Sequence, residues 1–303
     1  MIQLKRIIAV EKPAQLKLAH RQLIMTLTED RKEYSIPIED ILVLMISSPH
    51  TTLTSGLARV LAEENVSVIF CSDNYHPVAL CQPLHGHTLH SKRIKLQVEC
   101  KETTRKQAWQ QIVTAKIKNQ GQLLQMIGKE SLLINKYSER VLSDDKENCE
   151  AKAAKVYWKV LFEGEFTRHR FGHWPNSALN YTYAVFRSVM ARAVVGSGLA
   201  TAIGIHHRNQ YNSFCLVDDL IEPYRPFADQ LVLGLLNEKN LVEEMAENDL
   251  SREIRQYLLS GLQMTVKMKS KEYLLGNAME LSADSYVKIL EGRSKNMVFP
   301  MIE

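Results

Sequence analysis

The sequence predicts an α+β fold: a β-rich domain over residues 1–84, a linker over 85–95 and a mostly α-helical domain over 96–303. Three observations lead there. Up to about Leu84, β-branched and polar residues mix in short runs bounded by Pro and charged turns, the pattern of strands. From about Ile94 onward, apolar residues recur three and four apart, the pattern of helices with one buried face. Between the two, Pro83, Gly86, the histidines His85, His87 and His90, and Ser91-Lys92-Arg93 follow no period, as a connecting segment does.

In the first part, residues 5–10 and 23–28 read as strands, and residues 41–46 form a continuous apolar run suited to a strand buried on both faces. A helix follows, capped by Thr52 or Thr54, with Leu57, Val60 and Leu61 at helical spacing. Residues 66–70 return to strand, and 78–80 form another after the Asp73-Asn74 turn. Strands, one helix and more strands suggest a small sandwich or layered β domain. In the second part, Trp109, Ile112, Val113 and Ile117 make one apolar helix face, continued by Leu123, Leu124, Met126 and Ile127. A helix begins at Glu150 and runs through Val156, Tyr157, Val160 and Leu161. Residues 179–195, apolar with few charges, are expected at the centre of a bundle, and 231–245 and 254–262 add two more helices.

Composition bounds the class. A chain of 303 residues, 45% hydrophobic and 24% charged, is expected to form about two globular domains and needs no staples to bury a core. The net charge of +4 is compatible with a nucleic-acid partner. Five scattered cysteines without a CxxC pair argue for a reducing compartment. Residues 1–6 show no leader pattern, and the apolar run 41–46 is too short to span a bilayer, so a cytoplasmic protein with no membrane partner is expected. Phosphate-binding glycine loops, dinucleotide fingerprints and nucleophile elbows are absent. The histidines of 85–90, near Cys81, lack the ordered spacing of a zinc site, so a polar linker is the better reading. Cys215, flanked by Phe214 and Leu216, reads as a buried structural thiol.

Candidate chemistry concentrates in Gly204-Ile205-His206-His207 and in Asp219-Leu220-Ile221-Glu222-Pro223-Tyr224-Arg225-Pro226. Upstream, Glu150 opens a helical stretch whose Ala151, Ala153 and Ala154 permit close approach; the helix dipole alone also favours an acid there. Residues 194–205 read as an apolar helix ending beside His206 and His207, and adjacent helical residues point apart, so only one of the pair is expected to face a site. Asp219 and Glu222 share a face if helical, Pro223 suits a first turn, and Arg225 near that end can clasp a phosphate. An ordinary acidic helix start with an arginine partner has the same pattern.

Together Glu150, His207 and Glu222 offer mixed oxygen and nitrogen ligands that suit Mg²⁺ or Mn²⁺. Such an ion would polarise a phosphoryl oxygen and stabilise a leaving alkoxide, with water or a DNA 3′-hydroxyl attacking. Phosphate contacts are sought in the basic cluster Arg168, His169, Arg170 and His173. The alternating Lys267, Lys269 and Lys271 are a second candidate, since an extended segment would place their charges on one side.

At these residues the chain resembles a known family, the CRISPR-associated integrases of spacer acquisition (Cas-one), most closely the type II variety. The likeness rests on IPIEDILVLMISS at 36–48 and TLTSGLARVLAEENVSVIFCSDNYHPVALCQP at 52–83 in the β-rich part. In the helical part it rests on WQQIVTAKIKNQ at 109–120, NSALNYTYAVFRS at 176–188 and, most specifically, DLIEPYRP at 219–226. The resemblance implies an N-terminal β-sandwich domain, through which members homodimerise, joined to an α-helical catalytic domain. It also implies a metal site matching Glu150, His207 and Glu222, with His207 preferred over His206 because the family histidine stands three residues after the glycine, here Gly204. Asp219 would support that site and Arg225 would position phosphate. The implied activity is insertion of short double-stranded DNA into a CRISPR array by 3′-hydroxyl transesterification, alongside metal-dependent DNA cleavage. The implied partners are a small ferredoxin-like adaptation protein (Cas-two) and the type II effector nuclease. Two other functions fit the residues: a metal-dependent phosphodiesterase acting on branched DNA in repair, and a DNA-binding scaffold with a degenerate site.

Overall fold

The computed structural model describes residues 5–84, 86–162, 166–169, 172–236 and 250–303. Two compact units divide it, Met1–Thr88 and Leu89–Glu303. In the first, strands β1 (Arg6–Val10), β5 (Ile41–Ile46), β7 (Ser67–Cys71) and β8 (Pro77–Cys81) form one sheet in the order β1-β5-β7-β8. Strands β2 (Ala14–Ala19), β3 (Gln22–Leu27), β4 (Glu33–Pro37) and β6 (Thr52–Leu53) form a second, in the order β4-β3-β2-β6. Leu16 and Leu23 from the second sheet, Ile41 and Leu44 from the first, and Leu57 and Leu61 from helix α1 (Ser55–Glu63) share one core.

Strand β5 pairs in parallel with both β1 and β7, and every one of its residues is buried. Parallel neighbours need a crossover, and α1 lies on the one between β5 and β7. Strands β2 and β4 escape the sequence reading, although the first alternates buried and exposed residues from Ala14 to Lys17. Of the two threonines proposed as caps, Thr54 takes the role: its Oγ1 accepts from Leu57 N at 3.4 Å. Thr54→Ala is expected to destabilise this unit by about 1 kcal/mol in denaturant titration. A loss within error would deny the cap any energetic role.

The second unit begins earlier than expected. The linker proposed over 85–95 is corrected in its second half, which is helix α2 (His90–Glu99); His85 lies outside the described residues. Arg93 and Gln97, one turn apart, face inward, where Arg93 Nη1 donates to Ser197 O at 2.8 Å and Gln97 Nε2 donates to Ala200 O and Ile203 O. Their polarity mimics a loop in the sequence, yet it is spent on capping other backbone.

Helices α3 (Glu102–Met126), α4 (Leu132–Glu139), α5 (Cys149–Leu161) and α6 (Asn176–Gly196) follow, with α6 buried along most of its length as anticipated. The helix expected over 194–205 is not formed. Instead α6 stops at Gly196, and Gly198, at φ +67°, turns the chain in the left-handed region that favours glycine. His206 and His207 therefore sit in an irregular segment.

Then come α7 (Cys215–Leu220), a 3-10 turn at Glu222–Tyr224, α8 (Arg225–Leu235) and α9 (Arg252–Ser260). Of the helix expected over 231–245, residues 237–245 lie outside the described residues. Strands β9 (Thr265–Met268) and β10 (Lys271–Leu274) form an antiparallel hairpin the sequence reading missed, ahead of α10 (Leu275–Leu290). The single extended lysine segment is thereby corrected: Lys267 and Lys271 lie on opposite strands, and Lys269, at φ +58°, lies in the turn between them. No described helix is long and apolar enough to cross a membrane.

Candidate active site

The site is organised around Asp219, which is 0% exposed on α7. Its Oδ2 accepts from Ile205 N at 2.6 Å and His206 N at 3.0 Å, and its Oδ1 accepts from His207 N at 3.1 Å. Three consecutive amides thus wrap one carboxylate. Gly204 is needed for that wrap, because a Cβ there would come within 2.4 Å of His207 O and 2.9 Å of Asp219 Oδ2.

The same Oδ1 lies 2.7 Å from His207 Nδ1, which orients the ring and leaves Nε2 as its other nitrogen. This hydrogen bond, helped by the negative charge of Asp219, outweighs burial and raises the His207 pKa above the ordinary histidine value. The cause is the Asp219 carboxylate. The histidine pair is separated by packing: His206 stacks flat on Trp109, with centroids 4.2 Å apart and planes at 6°. His207 is left to border the cleft.

Glu222, 6% exposed, opens the 3-10 turn after α7. Buried Asn119 on α3 holds that turn, donating from Nδ2 to Pro223 O at 2.8 Å. Arg225 Nε donates to Glu222 Oε1 at 2.9 Å, and Lys116 Nζ lies 2.5 Å from Glu222 Oε2. Burial would raise the Glu222 pKa, but Arg225 and Lys116 together overcome it and hold it at about 2. Glu150 meets the same ammonium: Lys116 Nζ donates to Glu150 Oε1 at 2.6 Å. Asp145 sets the start of α5 and hence the place of Glu150, accepting from Cys149 N at 2.9 Å and Glu150 N at 3.0 Å. Burial would lower the Lys116 pKa, yet the two carboxylates raise it above the ordinary lysine value.

A cleft of about 700 Å³ is bordered by His207, Glu222, Arg225, Arg168, Arg187 and Tyr183. An adjoining pocket of about 340 Å³ shares Glu222, Arg225, Arg168 and Tyr183 with it and adds Lys116, Trp158 and Asp229. Tyr183 is the platform for two cations, with the Arg225 guanidinium 4.7 Å and the Arg168 guanidinium 5.2 Å from its ring centroid. Its hydroxyl, with that of Tyr157, donates to buried Asp229, whose pKa burial pushes up to about 6.

The structure thus brings Glu150 and Glu222 onto one cation and places His207, Glu222, Arg225 and Arg168 around one cleft. It draws no group of three or more His, Cys, Asp or Glu side chains into a cation-binding cluster among the described residues. Arg170 lies outside the described residues. Lys267 pairs with Glu303 at 2.9 Å, and none of Lys267, Lys269 and Lys271 borders the cleft. Cys215 is buried, its Sγ 3.2 Å from Asn212 O.

A family model described as CRISPR associated protein Cas1 matches residues 7–264. The chain belongs to the Cas1 family. Over 300 residues it is 31% identical to the CRISPR-associated endonuclease Cas1 of Neisseria meningitidis serogroup C (strain 8013), covering 98% of this chain and 96% of that one. A solved casposase bound to integration product superposes with a TM-score of 0.77 at 18% identity, covering 96% of this chain and 92% of that one. A Cas1 protein from Thermotoga maritima gives 0.76 at 16% identity, with 95% and 98% covered. A chain of a Cas6-RT-Cas1–Cas2 complex gives 0.68 at 17% identity, with 97% and 36% covered. At these identities the structural likeness is one of fold.

Within this Cas1 chain, sequence reasoning passed over Lys116, Asn119, Asp145, Tyr183 and Asp229. A signal existed for the first two. They interrupt the otherwise apolar α3 face of Ile112, Val113 and Ile117, and a polar residue on such a face needs a partner. For Tyr183 and Asp229 the meaning comes only from neighbours distant in sequence, whereas Asp145 acts locally on the amides four and five residues ahead of it.

Two donor groups, His207 and Glu222, are suited to the divalent ion the family reading implies, although the described residues form no cluster of three. His207 carries a carboxylate on one ring nitrogen, the arrangement that orients metal-binding histidines through their other nitrogen. Glu222 Oε2 is buried beside Lys116 without a hydrogen bond of good direction, and so retains acceptor capacity.

Proposed function

We propose that this Cas1-family chain is a Mg²⁺- or Mn²⁺-dependent DNA integrase and endonuclease. It inserts short double-stranded DNA into a CRISPR array by attack of a 3′-hydroxyl on a phosphodiester. The observation that carries this reading is the Asp219-oriented His207 beside buried Glu222, on a cleft walled by Arg168, Arg187 and Arg225. Glu150, His207 and Glu222 would hold the ion, which when bound supplies positive charge to the phosphoryl oxygen and the leaving alkoxide. Asp219 fixes the tautomer of His207 with its proton on Nδ1. Arg225, braced by Glu222 and Tyr183, and Arg168, braced by Asn176 and Asn180, position phosphate.

The β unit is proposed as the homodimerisation domain, in keeping with the family resemblance. A Cas2 protein is the proposed partner, as in the Cas6-RT-Cas1–Cas2 complex, one chain of which contains this fold. The type II effector nuclease and a cytoplasmic location complete the reading. The test is joining of a 3′-hydroxyl duplex into a CRISPR-array plasmid with the cognate Cas2 protein and Mn²⁺, for wild type and His207→Ala. Joined product that chelator or the substitution removes is expected. DNA binding without any joining would favour the scaffold, and cleavage of branched DNA without a partner would favour the repair enzyme.

The raised His207 pKa sets a pH dependence. Folding linkage favours the imidazolium, so its stabilising contribution is present below the ordinary histidine pKa and is lost as pH rises through the raised one. Metal binding runs the opposite way, because only the neutral ring ligates. Mn²⁺ affinity is therefore expected to fall as pH drops through the raised pKa, by about tenfold per unit below it. Titrations at pH 6 and 8 with equal affinities would remove His207 from the ligand set.

Arg168 and Lys267 separate cleft from hairpin. The hydrogen-bond partners of Arg168 are neutral oxygens, whereas Lys267 already has Glu303. Arg168→Ala is expected to weaken DNA binding and to reduce the salt slope by about 1, and Lys267→Ala to leave both near wild type. Fluorescence anisotropy across a salt series checks this, and the reverse ranking would move the DNA path to the hairpin.

A further inference from the structure

Lys116 has no part in the ligand set, yet it stands between two of its members. Its Nζ is 2.6 Å from Glu150 Oε1 and 2.5 Å from Glu222 Oε2, and its side chain is only 12% exposed. It reaches there from α3, so three separate elements (α3, α5 and the 3-10 turn) converge on one ammonium. Two carboxylates held this way present their oxygens to a common point, as a bound cation requires.

The charges in contact balance. Glu150 and Glu222 are opposed by Lys116 and Arg225, so these four side chains sum to zero. A divalent ion added with the ammonium still in place would bring the cluster to a charge of about +2, which a mostly buried site opposes strongly. Arg225 is tied by its Nε–Oε1 bond and by the Tyr183 ring, whereas lysine is a point charge on a flexible four-carbon stem. Lys116 also borders the 340 Å³ pocket with Arg168 and Arg225, so the ammonium has a place to go where an incoming phosphate would receive it.

We infer that Lys116 is a built-in counter-cation of the metal site: it holds Glu150 and Glu222 as paired ligands, and a divalent ion binds by displacing its ammonium toward the phosphate side. The inference rests on the proposed metal reading of Glu150, His207 and Glu222. Lys116 is a positioning residue that sets metal affinity.

The test is calorimetric Mn²⁺ titration of the full chain as wild type, Lys116→Met, Lys116→Arg and Glu222→Gln. Removing the competing charge is expected to tighten Mn²⁺ binding by about tenfold or more in Lys116→Met. Lys116→Arg, which keeps a cation but cannot withdraw as easily, is expected to bind no tighter than wild type. A Lys116→Met affinity equal to or weaker than wild type, with Glu222→Gln abolishing binding, overturns the inference while leaving the metal reading intact. Absence of Glu222-dependent binding in both wild type and Lys116→Met overturns the metal reading and this inference with it. A measurement on wild type alone covers failure of the variants to fold: acetylation of the Lys116 amine, followed by peptide mass spectrometry, is expected to quicken with Mn²⁺. A rate that Mn²⁺ leaves unchanged or slows overturns the displacement.

Discussion

Glu222→Gln is expected to lower strand transfer by about a thousandfold or more, a loss of about 4 kcal/mol in transition-state stabilisation. The amide keeps the shape and one acceptor for Arg225 Nε, but it removes an anionic ligand and the charge that Lys116 and Arg225 enclose. Stability should fall too, and the pH dependence is diagnostic. With a folded pKa of about 2 against an ordinary 4.5, the carboxylate stabilises the fold above pH 4.5, and that contribution is lost as pH falls toward 2. At pH 7 the variant should be less stable by up to about 3 kcal/mol, converging on wild type in acid. Urea titrations at pH 7 and pH 3 measure this. Transfer within tenfold of wild type would take Glu222 out of the chemistry altogether.

Asp219→Ala is expected to be the most disruptive single change to the fold of the helical unit. It strips the acceptor from the amides of Ile205, His206 and His207 and from His207 Nδ1 at once. Breaking a buried charged network costs about 3–5 kcal/mol, and in a unit of this size each kcal/mol lowers Tm by about 2–4 °C. A Tm roughly 10 °C below wild type is therefore expected. Amide exchange should accelerate at Ile205, His206 and His207, and activity should be lost because the ring of His207 is no longer aimed. Asp219→Asn retains the volume but turns an amide toward donor groups, so it should recover part of the stability and little of the activity. Unchanged exchange at the three amides in Asp219→Ala would mean that the carboxylate does not organise the segment.

Elements with their own period are legible in the amino-acid sequence. The apolar run of β5, the spacing of Leu57 and Leu61 in α1, and the long apolar α6 announce themselves because burial on a regular element imposes a repeat. Short segments are less legible. The β9–β10 hairpin holds only four residues a strand and carries three lysines, and α2 hides two buried polar residues behind a basic surface. The supposed helix over 194–205 fails for a different reason: Val194, Leu199 and Ile205 are all buried but only the first belongs to a helix, so their apolar character is real while their period is accidental.

At the site, the sequence by itself determined the residue types: DLIEPYRP, the glycine three before His207 and the acid at the head of an alanine-rich helix are all readable as text. It also supplied the two-part architecture, because hydrophobic periodicity is a local property. Tertiary structure supplied the physical reason that His207, already preferred from the family pattern, borders the cleft: Trp109 captures the ring of His206. It alone placed the Lys116 ammonium between Glu150 and Glu222, 34 residues before the one and further still from the other. It alone made Asp229 the anchor of the tyrosine platform under two arginines. Charge and ring contacts act over a few ångströms of space without regard to distance along the chain, so they leave no spacing in the sequence from which they can be read.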